Sequence, residues 1–95
     1  MPNATAPREL IRMDSERHVM GERQRLISAL TAARLERGIS QQALAEMIGT
    51  KRSNISRMES GVQNISLDMF LKVADALGKE VMVVLEERSV PEALA

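Results

Sequence analysis

The residues best equipped for chemistry lie together in the stretch GTKRSNISRMESG, from Gly49 to Gly61. On a helix that turns roughly 100° per residue, Arg52, Ser53, Ser56, Arg57 and Ser60 fall within an arc of about 140°. Ile55 and Met58 fall on the opposite side, with Lys51 and Asn54 beside them. One side therefore reads as core, and the other is small and polar except for two arginines. Lys51 and Arg52 also open the helix, where the dipole disfavours each exposed cation by about 0.3–1 kcal/mol. An anion at that end reverses the cost. The chemistry on offer is hydrogen-bond donation to negative or acceptor-rich groups. A DNA phosphate fits, and so does guanine, whose O6 and N7 accept bidentately from Arg while Ser and Asn reach phosphates or base edges. A basic face bathed only in solvent is the alternative, and the surrounding elements decide between the two.

Other chemistry is scarce. The chain has no Cys, Trp or Tyr and a single His, His18, so thiol chemistry, disulfides and Cys-based zinc sites are excluded. No acid–base constellation stands out, so an enzyme is not expected, and neither is a cofactor or metal. Ser56-x-x-Glu59 fits the capping-box pattern but falls inside the helix. The longest purely apolar run, Val81 to Leu85, is far short of the ~20 residues of a membrane span. A soluble, cytoplasmic protein without a membrane partner is expected.

The 95 residues fit one small domain with tails, and 44% hydrophobic content suffices for a core. Phe70 is the only aromatic residue, so that core is aliphatic. Formal charge is zero but unevenly spread. Between Arg34 and Arg57, five basic residues (Arg34, Arg37, Lys51, Arg52, Arg57) face two acidic ones (Glu36, Glu46). From Glu80 onward, Glu80, Glu86, Glu87 and Glu92 face Arg88 alone. A positive middle suits an anionic partner, and the acidic end lies elsewhere.

Residues 1–20 read as an N-terminal arm, partly flexible or helical. Pro2 and Pro7 loosen its start, and Gly21 interrupts the sparse pattern of Leu10, Ile11, Met13, Val19 and Met20. Helix is expected to begin near Ser15 or only after Gly21. Arg8, Arg12 and Arg17 could reach a minor groove or a protein surface, or be solvated.

Residues 21–78 carry the clearest signals. Leu26, Ile27, Leu30 and Ala33 repeat at helical spacing before Gly38. Ser40 can cap a helix with Leu44, Ala45, Met47 and Ile48 on its apolar side, ending at Gly49. Thr50 can cap the third, ending at Gly61. Ser66 can cap a fourth, in which Leu67, Phe70, Leu71, Ala74 and Leu77 form a stripe before Gly78. Ile39 with Leu44, and Ile65 with Phe70, have hydrophobic-staple spacing. Each helix ends in Gly, which accepts the left-handed backbone of a C′ position.

Residues 79–95 differ. Val81, Met82, Val83, Val84 and Leu85 favour a strand, yet no second strand is evident in the chain. The same segment of another copy, antiparallel across a twofold axis, is the expected partner, followed by an acidic tail. A last turn of helix or a frayed end is the alternative.

A capped helix, a turn centred on Gly49 and a second capped helix form the helix-turn-helix arrangement, whose second helix enters the major groove. ISQQALAEMIGTKRSNISRMESG resembles the helix-turn-helix of the Cro/phage-repressor class, also called the XRE family. Gln41, Leu44-Ala45, Ile48-Gly49, Ile55, Glu59 and Gly61 carry the resemblance, and SLDMFLKVADALG looks like the family's next helix. It covers residues 22 to 78. It implies a mainly α, lambda-repressor-like bundle of four to five helices that binds double-stranded DNA as a homodimer on an inverted-repeat operator. Gln41 would then touch a phosphate or outer base. Lys51, Arg52, Ser53 and Arg57 would occupy recognition positions, flanked by Thr50 and Asn54. Arg34 and Glu59 match a structural ion pair. Where a fifth helix usually follows, ALGKEVMVVLEE resembles the closing strand of HigA-like and HipB-like antitoxins, which implies a repressor that also neutralises a cognate toxin protein. Two other readings stay open. One is a stand-alone phage-type or metabolic repressor. The other is a protein-interaction module that has lost DNA binding, against which Arg52 and Arg57 on one polar face argue.

Overall fold

The computed structural model describes residues 8–62 and 64–87, with side chains from residue 16 onward. Four helices follow one another: α1 (Arg8–Glu36), α2 (Gln41–Ile48), α3 (Arg52–Ser60) and α4 (Leu67–Ala76). The helical bundle agrees with the expected fold class. Among the described residues there is no strand, and residues 79–87 carry no regular secondary structure within the single chain.

Helix starts ahead of both expected places, Ser15 and Gly21, because α1 begins at Arg8 and runs through Gly21 for 29 residues. A glycine inside a helix costs only about 0.5–1 kcal/mol. A Cβ at Gly21 would meet nothing, so no packing demands the glycine, and Glu22 pairs with Arg25 one turn on. Among the described side chains of α1, those of its C-terminal half enter the core, through Ile27, Leu30, Ala33 and Arg34. Residues 16–21 are exposed. The expected loose start, residues 1–7, and the side chains of Arg8 and Arg12 lie outside the described residues, while His18 is exposed.

The core joins Leu30 and Ala33 with Leu44, Ala45, Ile55, Met58, Val73, Ala74 and Leu77. Leu44, Ile55, Val73 and Leu77 are completely buried, and each such aliphatic side chain stabilises the fold by about 1.5–3 kcal/mol. Ile39, Ile65 and Phe70 pack against this cluster, as the staple positions require. Several expected stripe members turn outward: Leu26, Met47, Leu67 and Leu71 are exposed, and Val73 takes the place in α4 that the spacing did not assign. With helices of only eight to ten residues, α2, α3 and α4 bury narrow stripes, so apolar residues at the flanks stay in water.

Ser40 Oγ accepts from the Ala43 N–H at 3.0 Å and Ser66 Oγ from the Met69 N–H at 3.1 Å, so both caps form as expected. The third cap differs. Lys51, not Thr50, is the N-cap of α3, and no side chain caps that helix. Gly49 takes φ 72° to close the turn, and the Thr50 N–H returns to Ala45 O at 2.9 Å.

At the other end of the bundle Arg37 Nη1 donates to Leu77 O at 2.7 Å, and Lys79 pairs with Glu36 at 3.5 Å. Gly78, at φ 70°, sits against that guanidinium. Gly78→Ala combines left-handed strain with displacement of Arg37, and a loss of about 1–2 kcal/mol is expected in urea unfolding. An unchanged midpoint would show that neither the left-handed backbone nor the Arg37 contact is costly at this position.

Candidate nucleic-acid interface

α2 and α3 pack against each other across the Gly49 turn, and Ile55 and Met58 anchor α3 by its buried side. That anchoring leaves Lys51, Arg52, Ser53 and Arg57 exposed on the outer side. None of these four makes a side-chain hydrogen bond or ion pair among the described residues. Three cations therefore stand without internal carboxylates, two of them at the positive end of the α3 dipole. Such an end favours an anion.

Thr50 and Asn54 behave differently. Asn54 Nδ2 donates to Thr50 Oγ1 at 2.8 Å, half-buried, so the pair locks the first turn of α3 instead of presenting two free side chains. Beside them Met58, Asn64, Ile65, Ser66 and Met69 complete an open cleft of about 320 Å³ between α3 and α4. Arg23 Nη1 donates to Asn64 Oδ1 at 2.6 Å, which ties the α3–α4 connection to α1. A guanidinium has no acceptor, so the Asn64 amide must turn its oxygen to Arg23. Arg23, Asn64 and Ser66 are neighbours of this surface that the sequence pattern does not announce. The two partners Arg23 and Asn64 are 41 residues apart, a separation at which periodicity carries no signal.

The ion pair is built as expected and does more than expected. Arg34 Nε donates to Glu59 Oε2 at 2.7 Å and Nη2 to Oε1 at 2.9 Å, a bidentate pair. Arg34 Nη1 reaches Ile39 O at 2.8 Å, and Gln41 Nε2 reaches Glu59 Oε1 at 2.9 Å. Arg34 is 8% exposed. The Arg34–Glu59 pair thus joins the end of α1, the α1–α2 turn, the first residue of α2 and the last turn of α3. Burial pushes its carboxyl up, but hydrogen bonds from Arg34 and Gln41 and the Arg34 charge outweigh it and hold the group below the ordinary glutamate range.

A carboxyl with a depressed folded value stabilises the fold above its unfolded value of about 4.3, and that contribution is lost as pH falls through the folded value. The thermal midpoint is expected to drop below about pH 5, and less steeply in Glu59→Gln. Parallel pH profiles of the two proteins would assign the acid sensitivity to other carboxylates.

A short helix held at a fixed angle to a second helix by a Gly turn, a shared core and a buried ion pair, with free cations along its outer face, defines a helix-turn-helix protein. The chain belongs to the helix-turn-helix family, whose profile matches residues 30–82. It is similar to an HTH-type transcriptional regulator of Haemophilus influenzae, 39% identical over 59 residues, which are 62% of this chain and 60% of the regulator, less than two thirds of its length. It is similar to antitoxin HipB of Escherichia coli, 32% identical over 68 residues, 72% of each chain. Among solved structures, a toxin–antitoxin module from Streptococcus pneumoniae superposes with a TM-score of 0.57 at 40% identity, covering 86% of this chain and 84% of that one. No described helix is long and apolar enough to cross a membrane.

Proposed function

We propose that the protein is a sequence-specific DNA-binding repressor, that it works in the cytoplasm as a homodimer on an inverted repeat, and that it is the antitoxin of a toxin–antitoxin operon. The observation that carries the DNA reading is the set of exposed, unpaired Lys51, Arg52 and Arg57 on the second helix of a helix-turn-helix. In this reading α3 lies in the major groove, Arg52 and Arg57 read base edges, Ser53 and Lys51 reach bases or phosphates, and Gln41 meets a phosphate. The antitoxin reading is supported by the likeness to HipB and to the pneumococcal module. A stand-alone repressor would share the DNA chemistry, and the Haemophilus relative is named only as a regulator.

The tail supports a dimer. Val81 packs on its own core, whereas Met82, Val83, Val84 and Leu85 are 71–93% exposed. Four consecutive exposed apolar residues with unpaired backbone suit an antiparallel ribbon with a second copy, whose two recognition helices would then reach half-sites about 34–36 Å apart.

The test is selection of bound duplexes from a random pool, with Arg52→Ala/Arg57→Ala protein in parallel. Enrichment of an inverted repeat by the native protein alone is expected. On the selected operator Arg52→Ala should lose about 1–3 kcal/mol and relax preference at one base pair. Equal loss on every sequence would make Arg52 a phosphate contact instead. Failure of a folded, dimeric sample to enrich any duplex would leave the basic face to a protein partner or to no partner at all. Co-expression with the product of the adjacent gene tests the antitoxin half: no complex would leave a stand-alone repressor.

A further inference from the structure

We propose that Glu59 is a positioning residue for DNA contact, acting through Gln41. Its carboxylate holds the Gln41 amide so that one Nε2 hydrogen is engaged and the other is presented as a donor to a backbone phosphate. This rests on the DNA-binding reading above and adds to it the group that sets the Gln41 geometry.

Three donors converge on one carboxylate: Arg34 Nε on Oε2, and Arg34 Nη2 and Gln41 Nε2 on Oε1. A carboxylate only accepts, so the orientation of the Gln41 amide is unambiguous, with the nitrogen toward Glu59. An Nε2 carries two hydrogens, and only one can serve Oε1. Gln41 is the first residue of α2, and its neighbour Ser40 is occupied as the cap, accepting from the Ala43 N–H at 3.0 Å. The remaining Gln41 hydrogen therefore sits at the positive end of α2, where an anion is favoured. A free glutamine must give up rotamer freedom to make such a contact, whereas one already fixed does not. Arg34 completes the device from below, since its third donor group holds Ile39 O just before the α2 cap at 2.8 Å.

Glu59→Gln is the informative change. An amide offers one acceptor oxygen to three donors, and its own NH2 opposes the others. The buried Arg34 keeps the oxygen, and Gln41 is released. Charge alone acts the other way, because neutralising a carboxylate near DNA strengthens binding. The sign of the effect therefore separates positioning from electrostatics.

The experiment measures fluorescence anisotropy of the selected operator with native protein, Gln41→Ala, Glu59→Gln and the double variant, with thermal midpoints alongside. Each single change is expected to weaken binding roughly tenfold, the scale of one hydrogen bond to a charged group. The double variant should bind no more weakly than either single. The midpoint should fall further for Glu59→Gln than for Gln41→Ala, while the two lose similar affinity, so that affinity and stability part company. Glu59→Gln binding as tightly as native or tighter, or losses that multiply, would overturn the proposal. If Glu59→Gln does not fold, Gln41→Asn decides. It keeps the amide but is one methylene too short to span to the carboxylate. It should lose as much as Gln41→Ala, and native-like binding would refute positioning. A native protein that selects no duplex removes the DNA reading itself, whereas a binding native with an unaffected Gln41→Ala removes this proposal alone.

Discussion

Arg34→Ala is expected to cost about 3–5 kcal/mol of folding stability, the range for breaking one partner of a buried ion pair. The side chains of Arg34 and Glu59 are only 10% and 8% exposed, so solvent cannot replace what is removed. Without Arg34, Glu59 keeps a single donor, Gln41, for a charge that stays largely desolvated, and Ile39 O loses its partner as well. Small domains hold only about 5–15 kcal/mol in total, so the change should leave the protein partly unfolded at moderate urea. Arg34→Lys should fall between, because an ammonium cannot serve both carboxylate oxygens and a carbonyl with the fixed fork of a guanidinium. The double change Arg34→Met/Glu59→Leu should cost less than Arg34→Ala alone, since no unpaired charge is left behind. Urea midpoints for the three variants check the order. A loss below about 1 kcal/mol for Arg34→Ala would mean the pair is screened like a surface one.

What the sequence made legible here was local. Ser40 and Ser66 are caps because a hydroxyl three residues before a free N–H can accept from it, and that relation needs no tertiary information. Gly38, Gly49, Gly61 and Gly78 end helices with positive φ for the same reason. Ile55 and Met58 could be assigned to the core because α3 is short and its two faces differ sharply in type. Thr50 failed as a cap because a residue with the right side chain found a competing partner, Asn54, one turn away. Gly21 failed as a boundary because helix propensity is weak against neighbours that continue the helix. Leu26, Met47, Leu67 and Leu71 read as core because periodicity reports a face, not whether another element covers it. The Arg34–Glu59 pair was legible only by resemblance, and its extension to Gln41 and Ile39 was not legible at all. Those contacts exist because α1, α2 and α3 meet at one point, which no spacing along the chain encodes.

The largest effect on function is expected from the tail. Deleting residues 80–95 should convert the protein to a monomer and weaken operator binding by roughly 10²–10⁴-fold, the gain that linking two sites supplies without any new contact. The bundle should survive, because among the described residues of that segment only Val81 packs on the core, and Arg37 still holds Leu77 O at the end of α4. Met82 to Leu85 contribute nothing to the single chain that could explain keeping four apolar residues in water. In a ribbon their backbone groups pair and alternate side chains leave solvent, which offsets the entropy of ordering the tail. Sedimentation should show half the native mass. The truncated protein should bind a full operator no better than native protein binds an isolated half-site, which separates lost linkage from damage to α3. If the mass is unchanged, strand pairing is wrong and the dimer contact must lie elsewhere, with the exposed Leu67 and Leu71 of α4 the next surface to substitute.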